Sequence, residues 1–126
     1  METKILPKEL TSARQRGATA YHAGLAAESI AQRHYEQAGY TLLVQRWRGK
    51  AGEIDLIFSK NDETVFVEVK RARDFSQAVK RIGPAQMVRI STAAEEYAAR
   101  LPKGLLSLMR IDVALVNGTG ACHVVK

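Results

Sequence analysis

Residues 52–71 read GEIDLIFSKNDETVFVEVKR, and this stretch decides how the chain folds. Apolar and polar residues alternate on both sides of a polar centre, the pattern of two half-buried strands. Ile54, Leu56 and Phe58 are expected to point one way and Glu53, Asp55 and Ile57 the other. Beyond Ser59–Glu63, Val65, Val67 and Val69 share one face, and Phe66, Glu68 and Lys70 share the opposite one. The segment reads as a hairpin that carries three acids and a lysine among its apolar runs.

If the turn has an even number of residues centred on Asn61-Asp62, opposite partners sum to 123, which places Asp55 across from Glu68 and Glu53 across from Lys70. Opposite Cβ atoms on one face lie about 4.5–5.5 Å apart, so Asp55 and Glu68 repel. A divalent cation reverses the sign, because magnesium and ions like it bind oxygen from one or two carboxylates. An odd-length turn or a bulge would break this register.

Around the hairpin the elements follow in order. The alanine-rich run from about Ala18 to Ala38 is expected to be a helix stopped by Gly39. YTLLVQRW (40–47) reads as a strand, ARDFSQAVKRIG (72–83) as a loop with some helix, and PAQMVRISTAAEEYAARL (84–101) as a second clear helix. In that helix Pro84 suits the first turn, and Met87, Ile90, Ala94 and Tyr97 recur at helical spacing. LLSLMRIDVALV (105–116) and ACHVVK (121–126) read as closing strands around NGTG. The order α-β-β-β-α-β-β gives an α/β domain, a mixed sheet of about five strands flanked by helices. Residues 1–16 are polar and aperiodic and read as a flexible basic arm in which Arg14 and Arg16 either touch phosphate or are simply solvated. Residues 17–126 form the single domain.

At 126 residues the chain is long enough for one core and too short for two. A net charge of +6 favours an anionic partner, nucleic acid above all, or else is a basic but inert surface; charge alone does not separate the two. One cysteine, Cys122, leaves no internal disulfide and agrees with a reducing cytoplasm, where it serves as a small core residue. No run has the roughly 18 apolar residues of a membrane helix, and the first residues lack the apolar stretch of a signal peptide. A cytoplasmic location with no membrane partner is expected. His22, His34 and His123 show no ligand spacing.

Glu28 falls in the small, apolar stripe of the first helix, with Gly24, Ala31 and Tyr35 at −4, +3 and +7. Two readings compete: a third metal-facing acid, or a marginal acid paired with a nearby Arg or Lys, the pattern slightly favouring the second. Acids holding a metal with Lys70 two residues beyond one of them suit phosphodiester hydrolysis. The metal polarises the phosphate and lowers the pKa of a bound water, and the lysine orients that water or offsets charge. Against this stands a solvated sheet face with Asp55–Lys70 and Glu53–Lys70 ion pairs, each worth under about 1 kcal/mol.

Asp55, then twelve residues, then Glu68-Val69-Lys70 resembles the D…E-x-K signature of the PD-(D/E)XK nuclease superfamily. GLAAESIAQRHYEQAGY, GEIDLI, VFVEVK and RIDV follow one another over about residues 17–116 as in the largely uncharacterised YraN-like family of bacterial proteins, itself similar to archaeal Holliday-junction resolvases. The resemblance implies a restriction-endonuclease-like core and a magnesium- or manganese-dependent DNA endonuclease acting on branched or structured DNA. It implies that Glu28, Asp55 and Glu68, with the main-chain carbonyl of Val69, are the metal ligands and that Lys70 is the catalytic lysine. Gln86 resembles a glutamine found near the active site of such enzymes. Ala85 stands where relatives commonly have Lys, and KRAR (70–73) where they have K-x-R, departures that bear on the substrate contacts and not on the metal site. Glu53 takes no assigned role, and Asp112 reads as structural on a central strand.

Arg46, Arg48 and Lys50 before the hairpin's acids, and Arg71 and Arg73 after them, are the expected nucleic-acid contacts, with Trp47 either stacking on a base or sitting in the core. Lys80 and Arg81 extend the basic run. A nucleic-acid-binding module with the nuclease fold but little or no turnover is the main alternative, and an interaction protein docking an acidic partner the third. A resolvase-like activity implies a homodimer, since two nicks need two sites.

Overall fold

A computed structural model describes the backbone of residues 13–126 and the side chains of all of these except 13–21 and 77. In chain order the elements are α1 (Ala13–Gln37), β1 (Thr41–Arg48), β2 (Glu53–Lys60), β3 (Glu63–Arg71), α2 (Phe75–Arg81), α3 (Pro84–Ala98), a 3-10 turn (Gly104–Leu106), β4 (Leu108–Val116) and β5 (Cys122–Val125). Helix α1 begins at Ala13, earlier than the expected Ala18, so residues 13–16 are helical. The rest of the expected arm, and the side chains of Arg14 and Arg16, lie outside the described residues.

The stop at Gly39 follows from its φ of 94°, which a Cβ would oppose. Gly39 N–H donates to Glu36 O at 3.0 Å and Tyr40 N–H to Tyr35 O at 3.1 Å, so the last carbonyls of α1 are satisfied as the chain turns into β1. Helix α2 fills most of the expected loop because Asp74 caps it, accepting from Ser76 N–H at 3.0 Å. The expected strand from Leu105 starts instead at Leu108. Leu105 and Leu106 form the 3-10 turn and are exposed.

The five strands lie in the order β1-β2-β3-β4-β5, antiparallel except for the parallel β3–β4 pair. That parallel pair needs a long crossover, which α2 and α3 supply. Helix α1 covers one face: Ala27, Ala31 and Tyr35 bury against Leu56, Phe58, Val65, Val67, Ala114 and Val116. Helix α3 covers the other, Ala93 and Ala94 against Ile54, Ile57 and Phe66. This mixed sheet flanked by helices agrees with the restriction-endonuclease-like core that the resemblance implies.

The turn is of even length, as the register requires, and only two residues long. Asn61 and Asp62 have φ of 51° and 66°, and Lys60↔Glu63 through Leu56↔Val67 all sum to 123. The strict alternation of β2 is not. Leu56 and Phe58 lie under α1, but Ile54 lies under α3 with Ile57. The reason is in the partner strand, where Arg46 adopts a left-handed φ of 49°. The ladder runs Gln45↔Leu56, then Trp47↔Ile54, skipping Arg46 and Asp55. Across that step Gln45 reaches α1, donating to Gln32 at 2.7 Å, whereas Trp47 packs on Tyr97 of α3. Asp55 therefore has no ladder partner on either side, a local break of the kind that re-aims a side chain.

Candidate metal and nucleic-acid site

The break places Asp55 at the opening between β2 and β3. Its carboxylate accepts the Val69 main-chain N–H at 2.7 Å, one step past the last ladder pair. Glu68, 7% exposed, lies beside it. Burial first, and the neighbouring Glu68 charge second, push the Asp55 carboxyl up to about 7, although the Val69 hydrogen bond opposes this. The juxtaposition of Asp55 and Glu68 expected from the hairpin register is thus present.

Glu68 carries three donors on one oxygen. Lys70 Nζ lies 3.4 Å from Oε2, Arg89 Nη2 3.5 Å, and Gln86 Nε2 donates at 3.1 Å. Gln86 and Arg89 both come from α3, which the β3–β4 crossover carries over this end of the sheet. Arg89 sits in no motif of the sequence. Its one trace there is Gly52: a Cβ on that residue would stand 2.7 Å from Arg89 Nη1, and φ at Gly52 is 149°. Arg89 also donates to the Glu53 main-chain oxygen at 3.3 Å. The Glu53 carboxylate pairs with Arg48 at 3.4 Å, so the expected Glu53–Lys70 juxtaposition is replaced by Arg48–Glu53 and Lys70–Glu68 pairs.

Glu28 reaches the same groove from α1. A cavity of about 340 Å³ is lined by Glu28, Asp55, Glu68, Val69, Lys70 and Arg71, with Gly24 and Ala27 behind them. Burial raises the Glu28 pKa, Arg46 pulls it back, and Glu53 and Glu68 raise it further. Arg46 Nε lies 3.4 Å from Glu28, the pairing that one of the two sequence readings anticipates. Glu28 therefore lines the groove beside the other acids and is held by an arginine. Among the described residues no three acids, histidines or cysteines close into a ready-made cation cage. An open set of two carboxylates suits magnesium, which keeps several waters and takes few protein ligands.

The basic residues divide. Arg46 and Arg48 neutralise acids at the groove, Arg71 lines it, and Arg73 is exposed nearby. Lys50 lies in the β1–β2 loop, where its main-chain N–H donates to Glu96 at 2.8 Å, and it does not line the acid groove. Trp47 is half-buried, edge-on to Tyr97 at 5.3 Å and beneath Arg100, so it belongs to the core and not to a stacking platform. His123 stacks on Phe75, and partly buried Cys122 packs on the α1-side core.

Asp112 is fully buried and structural. It accepts from the Tyr35 hydroxyl at 2.6 Å and from Arg110 at 2.8 and 3.0 Å, tying α1 to β4. No helix among the described residues is long and apolar enough to cross a membrane.

The model of the uncharacterised protein family UPF0102 matches residues 27–116. A UPF0102 protein of Roseobacter denitrificans is 50% identical over 110 residues, 87% of this chain and 85% of the relative. One of Ruegeria pomeroyi is 51% identical over 111 residues, 88% and 90% of the two chains. One of Cereibacter sphaeroides is 41% identical over 110 residues, 87% and 94%. The matched segment contains Glu28, Asp55, Glu68, Lys70, Gln86, Arg89 and Asp112, so every charged side chain of the groove lies inside the family's span, and the chain belongs to the UPF0102 family.

Proposed function

We propose that this protein is a magnesium- or manganese-dependent DNA endonuclease whose site is the groove between β2 and β3. The observation that carries the reading is the Asp55–Glu68 pair, two carboxylates held against each other at a break in the sheet. Such a pair costs stability in a metal-free fold, and a cation between the carboxylates offsets that cost. Asp55, Glu68 and the Val69 carbonyl would hold the ion, with Glu28 as the outer acid. When bound, the ion would polarise a phosphate oxygen and lower the pKa of water.

The remaining groups divide the work. Gln86, hydrogen-bonded to Glu68, fixes the orientation of that carboxylate. Lys70 and Arg89 sit within salt-bridge range of Glu68 and would offset charge growing on a phosphate. Arg71 and Arg73 would hold the flanking backbone. By analogy with two-nick chemistry, the working unit is a homodimer on branched DNA.

A second reading is favoured by one feature: both Glu68 and Glu28 are already neutralised by cations. On that reading the chain binds DNA without cleaving it. Nicking of plasmid and four-way-junction DNA with magnesium or manganese separates the two. Cleavage by wild type that is lost in Asp55→Ala, Glu68→Ala and Lys70→Ala, with DNA binding retained, supports the endonuclease. Wild-type cleavage by any of the three variants overturns it.

A further inference from the structure

Next to the acid groove lies a larger cavity, about 630 Å³, within the range of roughly 300–1,000 Å³ typical of small-ligand sites. The two share Arg71 and Ala27 as their common wall. One side is the α1 surface of Ala23, Ala26 and Ile30, flat and aliphatic because the alanines have no side chain beyond Cβ. Three arginines line it: Arg71 at the end of β3, Arg73 in the following link and Arg81 in the last turn of α2. The floor is closed where Ala72 N–H bonds Val116 O at 2.9 Å.

Charge distinguishes this rim from the groove beside it. Arg46, Arg48, Lys70 and Arg89 each pair with a carboxylate. Among the described residues, none of Arg71, Arg73 and Arg81 does. Three like charges around one concave space repel unless an anion joins them, and guanidinium suits phosphate because its planar fork donates in pairs. An aliphatic wall with a cationic rim therefore matches a molecule with one flat apolar face and a phosphate.

We propose that this cavity is a subsite for one unpaired nucleotide of the strand passing the acid groove, its phosphate held by Arg71, Arg73 and Arg81 and its base laid on the alanine wall of α1. The proposal rests on the nucleic-acid part of the reading above. A base within a duplex reaches such a cavity only by unstacking and unpairing, whereas a base in a flap or gap enters without breaking a pair. An aliphatic wall accepts any base face, so the preference is for structure and not for sequence.

The test is fluorescence anisotropy in EDTA, comparing a blunt duplex with the same duplex bearing a short single-stranded flap. Wild type should prefer the flap by roughly tenfold, the equivalent of one charge-assisted contact. Ala23→Leu, which fills the cavity without touching a charge, and Arg81→Glu should each bring the ratio close to one. Equal affinity of wild type for both DNAs, or an unchanged ratio in both variants, overturns the subsite. So does displacement of the flap by free dTMP as efficiently as by unlabelled flap DNA, since the cavity would then serve mononucleotides. Binding of neither DNA overturns the nucleic-acid reading and the subsite together. A flap preference in a protein that never cleaves with manganese supports the subsite and sinks the endonuclease alone.

Discussion

The Asp55 carboxylate accepts the Val69 main-chain N–H at 2.7 Å, so the acid that faces Glu68 also stitches β2 to β3 where their ladder has ended. The two roles can be separated by substitution. Asn keeps an oxygen for the Val69 N–H and removes the charge. In metal-free protein Asp55→Asn should melt at or above the wild-type temperature. Asp55→Ala, which leaves a partly buried donor unsatisfied, should lose about 1–3 kcal/mol. Urea unfolding of the three proteins measures this, and a clearly destabilised Asp55→Asn would mean the carboxylate pair is not repulsive.

Manganese should raise the wild-type melting temperature, because an ion that binds only the folded state stabilises by about 2.7 kcal/mol at one hundred times its Kd. In Asp55→Asn the rise should largely vanish. A thermal-shift series with and without the ion reads this directly, and indifference of wild type to manganese would remove the metal site.

The pH dependence follows from the Asp55 carboxyl, raised from 3.8 to about 7 by burial and by Glu68. The folded protein keeps a proton that the unfolded chain gives up, so this group lowers stability as pH rises from about 4 to about 7 and changes nothing above. Subtracting wild-type from Asp55→Asn stability in EDTA cancels most other titrations. The difference should grow across that window, to the order of a few kcal/mol, and then level off. Manganese affinity should climb through the same window, since binding displaces the proton. A flat difference would show that Asp55 ionises normally.

Glu28→Gln keeps shape and loses charge, so it should weaken manganese binding in calorimetry while the fold persists. Arg89→Met should act in the opposite sense, because it removes a cation 3.5 Å from Glu68, and should bind manganese at least as tightly while cleaving more slowly. Weaker binding by Arg89→Met would assign Arg89 to holding Glu68 in place.

Away from the groove, Tyr35→Phe removes the 2.6 Å bond to buried Asp112 and should cost about 1.5–3 kcal/mol in urea unfolding, with cleavage and metal binding unchanged. No measurable loss would indicate that Arg110 alone satisfies Asp112.

Much of the architecture was legible in the residues because it is local. The two-residue turn sets every hairpin partner to a sum of 123, period-two patterning marks the strands, and Gly39 ends α1 through its own φ. That was enough to bring Asp55 to Glu68 and to find Lys70, which travels with Glu68 on the same strand. Period-two patterning could not announce the left-handed residue at Arg46, where nothing in the side chain requires a positive φ. So the turn of Ile54 to the other face, and the release of Asp55 from both ladders, belong to the tertiary structure.

The same holds for partners distant in the chain. Arg89 meets Glu68 because the parallel β3–β4 pair forces a crossover that lays α3 over this end of the sheet, and Arg46 meets Glu28 because α1 packs across β1 and β2. By itself the sequence determined the strands, the hairpin register and the identity of the acids, all products of short-range backbone geometry. Only the packed fold decided which cations neutralise those acids and which three arginines remain around an open cavity, because charge pairing depends on distances of a few ångströms between segments tens of residues apart.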